Sequence, residues 1–153
     1  MSIALALHVL SVVVWVGGMF FAYMVLRPVA ATVLDPPQRL TVWNQVFARF
    51  FPMVWVSIGV ILLSGYWMLL GPYGGFAKAP LFVHIMNGLG FIMIGIFLRV
   101  YFAPYQQLKQ AVQQSRWPDG GKALGQIRQL VGINTIIGGL TIITATAGRY
   151  WWM

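Results

Sequence analysis

Residues 2–26 read SIALALHVLSVVVWVGGMFFAYMVL, a stretch with no charged side chain and one histidine, His8. A helix needs about 20 consecutive apolar residues to cross the hydrocarbon core of a bilayer, so this stretch predicts a membrane-spanning helix. It lacks a basic leading segment and is longer than a signal-peptide core, which predicts that it stays in the mature protein. Three further uncharged stretches follow: Phe50–Ala77, Ala79–Leu98 and Gln129–Gly148. The second is expected to stop near Leu70, because Gly71-Pro72-Tyr73-Gly74-Gly75 is turn chemistry. The sequence therefore predicts an all-α, polytopic membrane protein. It reads as one domain over residues 1–153, a four-transmembrane-helix bundle with spans near 3–26, 50–70, 80–103 and 129–150.

Composition narrows the chemistry. Ten basic and two acidic residues in a chain of 153 fall far below the quarter or so of charged residues typical of soluble domains. The net charge of +8 does not point to nucleic acid, because that needs clustered Lys and Arg and these are scattered between apolar runs. With no cysteine, thiolate metal sites, Fe–S clusters and cysteine nucleophiles are excluded. The two carboxylates, Asp35 and Asp119, fall in connecting segments, which argues against paired-carboxylate catalysis and an intramembrane carboxylate relay.

The basic residues give an orientation. Arg27, Arg39 and Arg49 lie between spans one and two, and Arg99, Lys109, Arg116, Lys122 and Arg128 between three and four; only Lys78 and Arg149 lie on the opposite side. The positive-inside rule then predicts both termini in the periplasm of a bacterial inner membrane. The partner is the lipid bilayer. Gly17-Gly18, Gly88-x-Gly90 and Gly138-Gly139 permit close helix contacts within the bundle or between copies, so a homodimer is allowed.

The connections carry their own signals. Asp35-Pro36-Pro37 reads as an N-cap followed by proline in a first turn, so helix two is expected to begin there. The polar Tyr105–Ser115 segment is expected to extend helix three until Pro118-Asp119-Gly120-Gly121 breaks it. Trp43, Tyr66, Trp67, Tyr101, Tyr105, Tyr150, Trp151 and Trp152 fall near span ends and read as aromatic belts. A faint repeat relates His8…Arg27…Arg49…Gly65-Tyr66-Trp67 to His84…Arg99…Arg128…Gly148-Arg149-Tyr150-Trp151. A parallel repeat about an axis along the membrane normal would set the two histidines face to face.

His8 and His84 are the only histidines, and both fall inside apolar runs. An intramembrane titratable ring is costly and marks a candidate functional site. His8 lies about 8 Å along the helix from Ile3, and His84 about 6 Å from Pro80, at the helical rise per residue. The two rings are thus expected at matching depth. His8, Ser11, Trp15, Gly18 and Ala22 share one stripe, and His84, Asn87, Gly88, Phe91 and Gly95 another. These mixtures of small and aromatic residues leave room for a flat ligand, which predicts haem b held by His8 and His84 as axial metal ligands. Trp15, Gly18 and Gly88 would flank it, Ser11 or Asn87 would orient a ring N–H, and Lys78 and Arg149 would meet the propionates. The bland alternatives are interhelical packing for the small residues and snorkelling for Arg149. Copper is the alternative ligand. Met19, Met24, Met53, Met68 and Met93 show no cluster at histidine depth and Met86 faces elsewhere, while Met1 lies near His8.

His8-x6-Trp15-Val16-Gly17-Gly18-Met19-Phe20-Phe21, followed by Leu26-Arg27-Pro28, resembles the first helix of the CopD-type membrane domain associated with copper resistance. Arg49-Phe50, Leu62-Leu63-Ser64-Gly65 and Gly148-Arg149-Tyr150-Trp151 are similar to that family's helix boundaries. The resemblance implies copper uptake. A weaker likeness to HemJ-type protoporphyrinogen oxidases rests on the histidine, tryptophan and glycine of helix one, and implies haem b at His8. In those enzymes a proline–arginine pair soon follows the tryptophan, whereas here the order is Arg27-Pro28 and lies further along. The leading expectation is a bis-histidine haem b protein for electron transfer or a small redox reaction near the periplasmic face, with an unidentified electron donor or acceptor. Copper binding or transport, and porphyrinogen oxidation, are its alternatives.

Overall fold

A computed structural model of the chain describes residues 1–150; the expected belt residues Trp151 and Trp152 lie outside the described residues. Helix α1 (Ser2–Val33) is followed by α2 (Pro36–Leu70), α3 (Leu81–Phe102), a short α4 (Pro104–Gln113) and α5 (Trp117–Ala147). Four helical runs, with α3 and α4 counted as one, are long and apolar enough to cross a membrane. Large apolar side chains point outward along them, Ile3 and Leu63 each 78% exposed, as expected of surfaces solvated by lipid.

Proline and glycine set the element ends. Pro28 lacks an N–H and would crowd the carbonyl four residues before it. The chain meets this inside α1 with a wide π-helical turn over Ala22–Leu26, a usual device for such a misfit. The Arg39 guanidinium then donates to Ala31 O and Leu34 O, both at 3.1 Å, closing the end of α1. Helix α2 starts at Pro36, as Asp35-Pro36-Pro37 leads one to expect, although Asp35 makes no side-chain cap. It ends where Gly74 (φ +70°) and Gly75 (φ +98°) take left-handed backbone that favours glycine, and Gly75 N–H returns to Leu69 O at 2.9 Å.

Two expectations about the connections change. Tyr105 and its followers do not prolong helix three: the chain breaks at Ala103, because the residue before a proline is pushed out of helical backbone, and α4 is a separate amphipathic helix. Pro118-Asp119-Gly120-Gly121 is not a breaker. It lies in the first turn of α5, where a missing N–H costs nothing, and Gly120 is buried where a Cβ would come 3.0 Å from Leu40.

The spans alternate in direction and pair as hairpins, α1 with α2 and α3 with α5. One side of the bundle, the connector side, carries residues 34–35 and 103–116; the terminal side carries residue 1, the 71–80 connection and Tyr150. The core lies toward the connector side. There Phe47 and Phe51 stack at 4.9 Å, and Tyr105 of α4 meets both edge-on. Trp43 and Tyr105, expected in the aromatic belt, are instead buried core residues, because α4 folds back against α2 and α5 and carries Tyr105 into the core; Trp67 and Tyr150 are exposed.

Candidate functional site

His8 faces its own hairpin partner. Its Nδ1 lies 3.0 Å from Ser64 Oγ on α2, and the ring rests on Gly65, where a Cβ would come 3.2 Å from Cε1. The Ser64 hydroxyl donates its one proton to Val60 O, one turn back in α2. Its oxygen then accepts from His8, which places the ring hydrogen on Nδ1. The first histidine is thus an interhelical hydrogen-bond donor.

His84 belongs to a different cluster. It is exposed on α3, with its ring stacked on Phe76 of the Phe76–Lys78 turn at 6.2 Å between centroids. Phe76 also touches Tyr66, whose hydroxyl donates to Asn87 Oδ1 at 3.3 Å. Helix α2 accounts for the separation. Ser64 and Tyr66 are two positions apart, about 200° around a helix, so one turn of α2 offers Ser64 to α1 and Tyr66 to α3.

The bis-histidine reading is therefore corrected. Haem b with two axial histidines needs both rings turned toward one iron, and His8 is turned to Ser64 while His84 lies exposed against Phe76. Among the described residues no group of three or more His, Cys, Asp or Glu side chains could hold a metal ion. Iron binding, electron transfer and oxidoreductase chemistry lose their basis together. Copper held as a resident cofactor loses it on the same ground. The depth estimate concerned one coordinate; direction around the helix is the other.

The remaining expected site residues fall in three places. Ser11, Trp15 and Gly18 lie on the inner stripe of α1: Ser11 is buried, Trp15 meets Phe97 of α3 edge-on at 6.3 Å, and the Phe50 ring covers Gly18. Asn87 is held by Tyr66, while Gly88 faces open space. Lys78 and Arg149 are exposed on the terminal side. Of the paired glycines, Gly18 and Gly138 make close packing contacts inside the bundle, while Gly17, Gly88, Gly90 and Gly139 have nothing against them.

Comparison with known families now adds one finding. Residues 44–147, more than half of the chain, match the family CopD, Copper resistance protein D. The chain belongs to the CopD family. No curated protein and no solved structure matches it significantly. The CopD match covers α3, α4 and α5 and most of α2, and begins after α1, so His8, Trp15 and Gly18 lie outside it.

Sequence reasoning missed two residues. Ser64 stood within the Leu62-Leu63-Ser64-Gly65 motif, but its role as the partner of His8 needed the pairing of α1 with α2. Asn134 is 2% exposed in the middle of α5. An amide inside an apolar span is a signal of its own, overlooked beside the histidines. It donates to Met93 O across the α3–α5 contact at 3.3 Å.

Proposed function

We propose that this CopD-family protein acts in copper resistance at a bacterial inner membrane, with copper as its cargo and no resident metal. The observation that carries the reading is the match to Copper resistance protein D across residues 44–147, which runs through three of the four spans. The eight basic residues on the connector side against two on the terminal side support termini in the periplasm. In this reading the terminal-side polar residues His8, Ser64, Tyr66, Asn87 and His84 form the face that copper approaches, with Lys78 and Arg149 at its edge. Among the described residues no group of three or more His, Cys, Asp or Glu side chains stands along the bundle to carry an ion across a single copy. The action assigned to the protein is therefore local to that face, handing copper to or from another component.

The test compares a strain that lacks the protein with the same strain carrying it, grown in graded copper and, separately, zinc. Growth limits and cell-associated metal are read together. A shift in copper tolerance and copper content with zinc unchanged is the expected result. Identical copper tolerance and content with and without the protein removes the proposal. The double variant His8→Ala/His84→Ala, expressed to the same level, is expected to behave like the strain lacking the protein; full activity there would take the face away from the histidines.

A further inference from the structure

Arg27 directly follows the uncharged run of the first span, and Arg128 directly precedes that of the fourth. Both therefore stand at the connector-side edge of the apolar runs, the level of the lipid headgroups. The fold brings them to one place. A shallow crevice of about 50 Å³ opens between α1 and α5, lined by Ala22, Tyr23 and Arg27 of α1, the buried Trp43 of α2, and Leu124 and Arg128 of α5 among others. Tyr23 wedges the two helices there: a Cβ at Gly132 of α5 would come 2.9 Å from its ring. The Arg27 guanidinium lies over that ring, 4.8 Å from its centroid. Arg128 is exposed and Arg27 half-buried.

The charge at this crevice is unanswered from within the protein. Among the described residues the one ion pair is Arg116–Asp119, and the arginines that donate hydrogen bonds are Arg39 and Arg116. Two like charges beside one crevice repel, and an anion shared by them removes that cost. The donors of a guanidinium form a planar fork that matches a phosphate. We propose that the crevice binds one anionic glycerophospholipid of the connector-side leaflet, with its phosphate on Arg27 and Arg128 and the start of an acyl chain against the apolar wall. Charge complementarity selects the headgroup, because no acidic side chain lines the crevice to receive the ammonium of a zwitterionic lipid. The apolar wall selects a lipid over a free phosphate, which would leave that wall uncovered. Arg49 and Arg99 mark the same boundary on the other two spans and are exposed, but neither lines this crevice. The site lies on the opposite side of the bundle from His8 and His84 and does not depend on the copper reading.

Native mass spectrometry of the detergent-purified full chain tests it. The protein is offered equal amounts of phosphatidylglycerol and phosphatidylcholine with identical acyl chains, and the lipid that stays bound is read. Wild type is expected to retain phosphatidylglycerol about tenfold in preference, the scale of two arginines acting on one anionic headgroup. In Arg27→Gln/Arg128→Gln the preference is expected to vanish, while Arg49→Gln/Arg99→Gln, with the same loss of charge, keeps it. Excess glycerol 3-phosphate, a headgroup without chains, is expected not to displace the bound lipid. The absence of a phosphatidylglycerol preference in wild type overturns the proposal, as does a preference that survives in Arg27→Gln/Arg128→Gln. An equal loss in the two double variants also overturns it, since the preference would then belong to the overall charge. Displacement by glycerol 3-phosphate would make the occupant a free phosphate and overturn the lipid assignment. Should Arg27→Gln/Arg128→Gln fail to fold, the exposed Arg128→Gln is read in its place: about a threefold fall in preference supports the site, and an unchanged preference overturns it.

Discussion

The connector half and the terminal half of the bundle are built from the same four helices but packed in different ways. On the connector side Phe47, Phe51, Phe97 and Tyr105 interlock, and Leu108 of α4 and Ile127 of α5 are almost fully buried. On the terminal side α1 buries nothing before Ser11, α3 nothing before Met93 and α5 nothing between Gly138 and Ala147. The difference follows from α4, which folds back beneath the helices and gives their apolar faces a fifth partner. Where there is no such partner, lipid is as good a neighbour for Leu or Ile as another helix, and the helices hold one another by polar pairs: His8 with Ser64, Tyr66 with Asn87. Aromatic packing dominates one end; at the other, hydrogen bonds join a smaller apolar contact in which Met68 and Leu69 of α2 are buried.

The largest expected effect comes from removing an aromatic side chain on the connector side. Phe51→Ala takes a 3% exposed ring out of contact with Phe47, Phe97 and Tyr105 and is expected to cost about 3 kcal/mol, as for other buried aromatic truncations. Phe91→Ala, at a 50% exposed position on the terminal half of α3, is expected to change stability little. Detergent-denaturation midpoints of the two variants measure the contrast, and equal losses would mean that the halves do not differ. A smaller effect tests where the two hairpins touch. At Gly138 a Cβ would lie 2.9 Å from Val16 of α1 and 3.3 Å from Met93 of α3, whereas Gly139 beside it meets nothing within 4 Å. Gly138→Leu is expected to cost about 2 kcal/mol by overpacking, and Gly139→Leu almost none. A tolerant Gly138 would show that α1 of the first hairpin stands off from α5 of the second rather than against it.

These contrasts mark what the sequence could and could not disclose. Four uncharged runs of spanning length reveal four apolar helices, because bilayer thickness imposes that length directly. Asp35-Pro36-Pro37 reveals the start of α2, because its signal is local. Pro118-Asp119-Gly120-Gly121 misleads, since proline and glycine mark both a break and a helix start, and burial of Gly120 against Leu40 decides between them. Trp43 and Tyr105 read as belt residues for a related reason: their exposure depends on α4 folding back, a long-range event. The histidines are the clearest case. The helical rise gives only the distance of each from its helix start, and which neighbour each ring meets depends on α2 standing beside both helices. Asn134 was legible only as a polar residue in an apolar span; its bond to Met93 O needed α3 and α5 in place.

The finest test addresses the polar pairs of the terminal half. Ser64→Ala removes the acceptor of His8 Nδ1–H. The expected cost is about 1 kcal/mol, between the mean for interhelical hydrogen bonds in membranes and the penalty for stranding a buried donor. In ¹⁵N spectra of the histidine rings, the Nδ1-protonated form expected for His8 in the wild type should give way to a mixture of tautomers in Ser64→Ala. His84→Phe keeps a flat ring against Phe76 at an exposed position and should stay within about 0.5 kcal/mol of wild type. Both histidines lie a few residues inside the terminal-side ends of apolar helices, so a desolvation cost set by helix position alone would make their replacement similarly consequential. A measurable gap between Ser64→Ala and His84→Phe assigns the difference to the neighbour each ring has. If His84→Phe proved the more damaging, the exposed face of α3 would have to be covered in the membrane, and the terminal half would be held by a contact outside the single chain.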